Sequence, residues 1–361
     1  MASPTDGPGP KARWPRPATV PAAPEWAAFP PKVSALPETG PPPPPTTAFE
    51  IRRLAFYGAG ESLFGIHIVN VLLSIVTLGI YRIWARVRVR RYLMSQSAFE
   101  GDRFAYHGTG KEIFVGYLKA SALFGIPLTA LRILPELLGL PEVVQLLTGL
   151  LSAALILVFV ALAMVGSRRY QLSRTSWRNI RFSFRGRGIV FIKLLVVGWL
   201  LSAITLGVYY PVYATRRQAF MTSNSYLGTQ RFDFDGQGFD LIWPWIKALL
   251  LTFPTLGLCW FWYSAHRQRF FWGHTTVGAA RFRYRATGGR LLGLWALNVL
   301  LLVGTLGLAW PWTKIRTVDF LCRNLTLEGP LDTAAIVQEA DDVSAGLEGL
   351  AGLLDTGFDF G

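Results

Sequence analysis

Few groups in this 361-residue chain could do chemistry. Four histidines stand at His67, His107, His266 and His274, none at metal-ligand spacing from another His, a Cys or an acid. Cys259 falls in an apolar run and Cys322 follows another; the pair forms neither a C-x-x-C nor a disulfide framework. Residue order suggests no Ser-His-Asp or Cys-His constellation. The chain therefore reads as a non-enzyme, with no catalytic residue, no metal and no cofactor. Gly-x-Gly pairs invite a phosphate-loop reading, but Gly186-Arg187-Gly188 has no third Gly in register, and no G-x-x-x-x-G-K-[S/T] occurs. What remains is a set of polar residues inside apolar runs: His67, Asn70, Lys193, Lys247 and Asn298. A polar or ionisable group within a membrane is a functional candidate by default, so these five form the candidate polar membrane site. Against function stand snorkelling for Lys193 and, for Asn70 and Asn298, inter-helix hydrogen bonds worth only about 0.6 kcal/mol each.

The elements that carry these residues follow from composition. Half of the chain is hydrophobic (51%) and only 16% is charged, against about 25% in a soluble domain; mean hydropathy is +0.34. Six apolar stretches, near 62–84, 113–134, 143–166, 189–213, 240–263 and 291–312, are long enough to cross a hydrocarbon core, which takes ~20 helical residues. The third carries no charge; Lys119 and Arg132 sit near the ends of the second. The expected fold is an α-helical integral membrane protein of about six transmembrane helices in tandem repeats, joined by short strand and Gly-x-Gly motifs.

The repeat is explicit. Leu54-Ala-Phe-Tyr-Gly58-Ala-Gly60 returns as Phe104 to Gly108-Thr-Gly110, Phe182 to Gly186-Arg-Gly188, Phe232 to Gly236-Gln-Gly238 and Phe282 to Ala286-Thr-Gly288. A second motif, Thr-Leu-Gly, follows at Thr77–Gly79, Thr205–Gly207, Thr255–Gly257 and Thr305–Gly307, and is absent from the second unit, which is longer by 28 residues. Alternating aromatics predict a short strand, and Gly-x-Gly a sharp turn into the next helix. Thr-Leu-Gly falls late in each apolar run, where a Thr bonded back to its helix and a Gly permit a kink or close packing. Aromatic and basic residues follow, as in Tyr81, Trp84, Arg86, Arg88, Arg90, Arg91 and Tyr92; such belts sit at the headgroup level and meet anionic lipid. The strands are expected to pair, because an open strand edge is costly.

The run Val69–Tyr81, with Arg90-Arg-Tyr92 and Arg103-Phe-Ala-Tyr106, resembles the YjgN-like bacterial inner-membrane proteins, as does Gly166–Gln171 leading to Ile180–Phe184. The resemblance covers roughly residues 50–327. It implies a bacterial inner-membrane location, which the apolar stretches make multi-pass, and hands over no activity and no site residues, since the family is a domain of unknown function.

Residues 1–48, with 15 of the 23 prolines, read as a Pro-rich disordered tail; 49–327 as the repeat-built membrane domain; and 328–361, with eight acids and no Lys or Arg, as an acidic tail in which Asp342–Leu354 has the spacing of a short amphipathic helix. The body holds 32 Lys or Arg against 11 Asp or Glu. Loops 82–111 and 168–187 carry seven basic residues each, which places them in the cytoplasm. Two topologies fit. Single crossings put the weakly basic loop 215–239 outside, and this is the preferred reading. The alternative bends the Thr-Leu-Gly helices back as re-entrant elements and keeps every motif loop inside. The expected partners are the lipid bilayer and anionic headgroups, with no nucleic acid. The expected role is structural or lipid- and partner-interacting. The alternative is a transporter or channel for a small solute, which requires Asn70, Asn298 and Lys247 to face one cavity.

Overall fold

In a computed structural model the chain is described over residues 51–331, 333 and 336–338. The Pro-rich segment and Asp342–Leu354 lie outside the described residues. Five units follow one another. The first is β1 (Ile51–Phe56), α1 (Gly60–Val76), α2 (Arg82–Gln96) and β2 (Ser97–Phe99). The second is β3 (Asp102–Tyr106), α3 (Gly110–Ala120), α4 (Ile126–Leu137), α5 (Glu142–Ser173) and β4 (Thr175–Trp177). The third is β5 (Ile180–Phe184), α6 (Gly188–Ile204), α7 (Tyr210–Ser223) and β6 (Ser225–Leu227). The fourth is β7 (Gln230–Phe234), α8 (Ile242–Leu251), α9 (Cys259–Gly273) and β8 (Thr275–Val277). The fifth is β9 (Ala280–Tyr284), α10 (Gly288–Gly304), α11 (Trp310–Asn324) and β10 (Leu325–Glu328).

The ten strands form one closed antiparallel barrel. Each long strand pairs with the short strand that ends its own unit and the one that ends the unit before, as in Phe184↔Ser225 and Ser176↔Arg181. β1 and β10 close the ring through Ile51↔Glu328. Closure leaves no open edge, so the expected pairing of the strands is met in its most complete form. Two-residue turns such as Arg178-Asn179 (φ +49° and +63°) and Glu100-Gly101 (φ +52° and +84°) join consecutive units; their left-handed backbone matches the twist of the strands they join.

Side chains alternate along each strand. Phe104, Phe182, Phe232 and Phe282 point into the lumen and follow one another around it, with neighbouring ring centroids 6.4–6.5 Å apart. With Leu54, Trp177 and Leu227 they line an apolar cavity of about 230 Å³. Part of the acidic C-terminal segment closes on this barrel. Leu331 and Ile336 also line the cavity, the amide of Thr229 donates to the Val337 carbonyl (3.0 Å), and the amide of Arg181 donates to Gln338 Oε1 (2.7 Å).

The fold is therefore not the all-helical bundle of six crossings expected from the sequence. The barrel overturns that architecture, and among the described residues only 110–137 and 142–173 are helices long and apolar enough to cross a membrane. The physical reason is the Thr-Leu-Gly motif, which does not kink a helix but ends one. In Thr77-Leu78-Gly79 the last two residues have φ +51° and +91°, and the same pair recurs at Leu206-Gly207, Leu256-Gly257 and Leu306-Gly307. The glycine amide bonds back five residues, Gly79 to Ser74 O and Gly207 to Ser202 O, both at 2.7 Å, which is a helix-terminating cap. The chain then reverses, so the helix after the motif returns to the barrel. Four apolar stretches read as crossings are thus helical hairpins. All five strand motifs belong to one barrel, so both ends of each unit return to the same body instead of lying at opposite ends of its helices.

Candidate functional site: a crown of hairpins above the barrel

The Gly-x-Gly motif, Ala-Thr-Gly in the fifth unit, leads into every hairpin, and its chemistry is steric. A methyl group on Gly236 would stand 2.7 Å from Phe234 Cζ, and one on Gly288 would stand 2.6 Å from Trp262 Cγ. The first glycine thus makes room for its own strand's aromatic ring, and the second lets the return helix of the unit before come close. In the first two units the middle amide is also taken: Ala59 N donates to Tyr92 Oη (2.9 Å) and Thr109 N to Tyr170 Oη (3.2 Å). These backbone groups are engaged by protein, unlike the open amides of a phosphate loop.

Each short hairpin ends in an apolar point. The Thr hydroxyl caps the inbound helix, donating to the carbonyl four residues back, as Thr205 to Leu201 O (2.7 Å), and accepting the amide four residues on, from Tyr209 (3.0 Å). The next residue, Leu78, Leu206, Leu256 or Leu306, is 89–95% exposed. A fully exposed leucine held at left-handed φ is unfavourable in water on both counts. Ile80, Val208, Phe253, Leu258 and Leu308 extend the same exposed surface. The second unit instead carries a longer hairpin: 110–137, with one π-helical turn at 121–125, followed by 142–173.

Behind the points runs a belt of cations on aromatic faces: Arg88 over Tyr81 (5.6 Å), Arg216 over Tyr209 (5.7 Å), Arg267 over Tyr263 (5.9 Å) and Lys314 over Trp310 (5.6 Å). Nearer the barrel, arginines meet acids: Arg52 with Glu100 (2.8 Å), Arg281 with Asp235 (2.7 Å), and Arg283 and Arg285 with Glu328 (both 2.9 Å).

The structure separates most of the sequence-derived polar candidates. His67 and Asn70 come together on α1 and line a groove-like cavity of about 890 Å³ against α2 and α11. His67 stacks on Trp310 (ring centroids 4.8 Å apart). Asn70 is buried, and neither its Nδ2 nor its Oδ1 has a partner. Lys247 lines a different cavity, of about 680 Å³, with Cys259 and His266. Asn298 donates from Nδ2 to Thr317 Oγ1 (3.3 Å) between α10 and α11. Lys193 lies on α6 and lines neither cavity. Sequence reasoning missed Arg82, Trp310 and Lys314, which share the cavity with Asn70, and read Arg90, also in its lining, only as part of the headgroup belt. The signal was present: Arg82 follows Gly79 by three residues, inside what reads as an apolar span.

The Cys322 thiol is inert by placement. Burial, then the Asp319 carboxylate, push the Cys322 thiol up to about 11, so it stays protonated near neutrality. Among the described residues no group of three His, Cys, Asp or Glu could hold a metal ion.

A family model described as a bacterial protein of unknown function, DUF898, matches residues 52–256, 229–293 and 254–353. The chain is 37% identical over 130 residues to the inner membrane protein YjgN of Escherichia coli strain K12, across 36% of this chain and 30% of that one. It is 36% identical over 132 residues to the inner membrane protein YjgN of Salmonella typhimurium strain LT2, across 37% and 31%. The match spans less than a third of the length of these curated relatives. No solved structure matches the chain.

Proposed function

The chain belongs to the DUF898 family of bacterial proteins of unknown function, and on that premise we propose that it is an inner-membrane protein that inserts its hairpins into the bilayer from the cytoplasmic side and binds anionic lipid there in a structural role. The observation that carries this reading is the set of four apolar points, each led by a left-handed, exposed leucine. Lipid removes the penalty that water would impose on that surface. The short inbound helices of 17 residues are about 25 Å long, less than the ~30 Å hydrocarbon core, so they dip in and return. The helices of 28 and 32 residues reach more than about 40 Å and span it. The cation-aromatic belt then lies at the headgroups, and the arginine-rich barrel faces the cytoplasm. The relatives named as inner membrane proteins support the same placement.

The test is a fluorophore on Leu256→Cys, in protein lacking Cys259 and Cys322, reconstituted in vesicles of phosphatidylcholine with and without phosphatidylglycerol. Quenching by a nitroxide on the lipid acyl chain and none by aqueous iodide is the expected result, with a higher thermal midpoint in the anionic vesicles that salt reduces. Quenching by iodide, or equal midpoints in both vesicles, would overturn the proposal.

A further inference from the structure

We propose that the cavity between α1, α2 and α11 is a binding site for one phosphorylated amphiphile, its phosphate held by Arg82, Arg90, Lys314 and the Asn70 amide, with an apolar chain along Val71, Ile75 and Leu78. The inference rests on the membrane placement proposed above and adds a defined site to it.

Charge is the first argument. Arg82, Arg90 and Lys314 all line this cavity, and among the described residues no Asp or Glu lines it. The barrel arginines differ, because acids meet them at 2.7–2.9 Å. Depth is the second. After the turn glycine, the other short hairpins run nine, ten and seven residues to their first Lys or Arg, at Arg216, Arg267 and Lys314; the first hairpin runs only three, to Arg82. A cation that close to an apolar point is expensive in lipid unless an anion accompanies it. The third argument is independent of charge. Asn70 is 4% exposed, lines the cavity, and has both side-chain polar atoms unpartnered. A buried, unsatisfied amide is costly and supplies the donor that a phosphate oxygen accepts. The volume, about 890 Å³, exceeds what a headgroup alone fills, and the wall beyond Asn70 is apolar.

The experiment is native mass spectrometry of the full chain released from micelles containing equal phosphatidylglycerol and phosphatidylcholine. One retained phosphatidylglycerol is expected. Arg82→Gln with Lys314→Gln should weaken retention about tenfold or more, as loss of charge-assisted bonds implies. Arg323→Gln, which breaks only an exposed pair with Asp319, should leave retention unchanged. Asn70→Leu should also weaken retention while raising the thermal midpoint, a combination that a purely structural Asn70 would not produce. Millimolar glycerol 3-phosphate separates the sources: failure to displace the lipid assigns recognition to the whole amphiphile, and displacement assigns it to the phosphate alone. Equal retention of both lipids, or retention untouched by the paired substitution, would overturn the site. Fluorophore quenching at Leu256→Cys in the same variants keeps the readings apart, because it reports insertion whether or not this site exists.

Discussion

A methyl group added at Gly238 would lie 2.6 Å from the Cα of Val212, a backbone atom that no rotamer change can move aside. At Gly273 the same methyl meets nothing within 4 Å. Gly238→Ala is therefore expected to destabilise the protein by about 1–3 kcal/mol, and Gly273→Ala to be neutral or stabilising by up to about 1 kcal/mol, measured as shifts in thermal midpoint in one detergent. Ala286 occupies the first-glycine position of the fifth unit and is fully buried beside Tyr284, so the repeat tolerates a methyl there. At this scale the spacing of Gly-x-Gly was legible in the sequence, but its reason was not. A motif shared by phosphate loops and close-packed crossings differs only in what fills the missing Cβ, and Trp262, Val212 and Trp312 arrive from other units. Asn70 and His67 were legible as polar residues in an apolar run; their neighbours Lys314 and Trp310 stand more than 200 residues away in the chain and meet them only because the ring of units closes.

The hairpin is the element on which the fold turns. Thr205 holds two bonds at its end, one given to Leu201 O and one received from Tyr209 N. In an uninterrupted helix the amide of Tyr209 would bond the backbone carbonyl four residues back, and a hydroxyl at 205 would be dispensable. In the hairpin, Thr205→Val leaves that amide without its acceptor in apolar surroundings, which costs about 1–3 kcal/mol. Thr205→Val is thus expected to lower the thermal midpoint and Thr205→Ser to leave it nearly unchanged; equal behaviour of the two would argue for a continuous helix. The reversal escaped the sequence because apolar residues run through it. Ile189–Tyr213 reads as one stretch long enough to cross a bilayer, while the stop signal is a Leu-Gly pair that membrane helices also use for packing. Arg82, three residues past Gly79, was the departure that a straight crossing does not explain.

Ten short strands, each three to six residues long, would be marginal alone; joined end to end in register they close a barrel and fix where every hairpin begins. That closure was only partly legible. Strand-like aromatics and five unit starts are local features, whereas Ile51↔Glu328 is a pairing across the whole repeat. One consequence governs the whole molecule: all the interunit turns lie on the barrel, and on one side of any membrane that the hairpins enter. The most direct test places single cysteines at Asn179, Thr229 and Ala279, in the turns before the third, fourth and fifth units, and at Leu138 in the tip of the long hairpin, in protein lacking Cys259 and Cys322. In intact cells a membrane-impermeant maleimide should label position 138 and spare all three turns, and after lysis it should label the turns equally. Labelling of position 229 in intact cells with 179 protected would contradict the account, because the barrel could not then hold both turns on one face of the membrane.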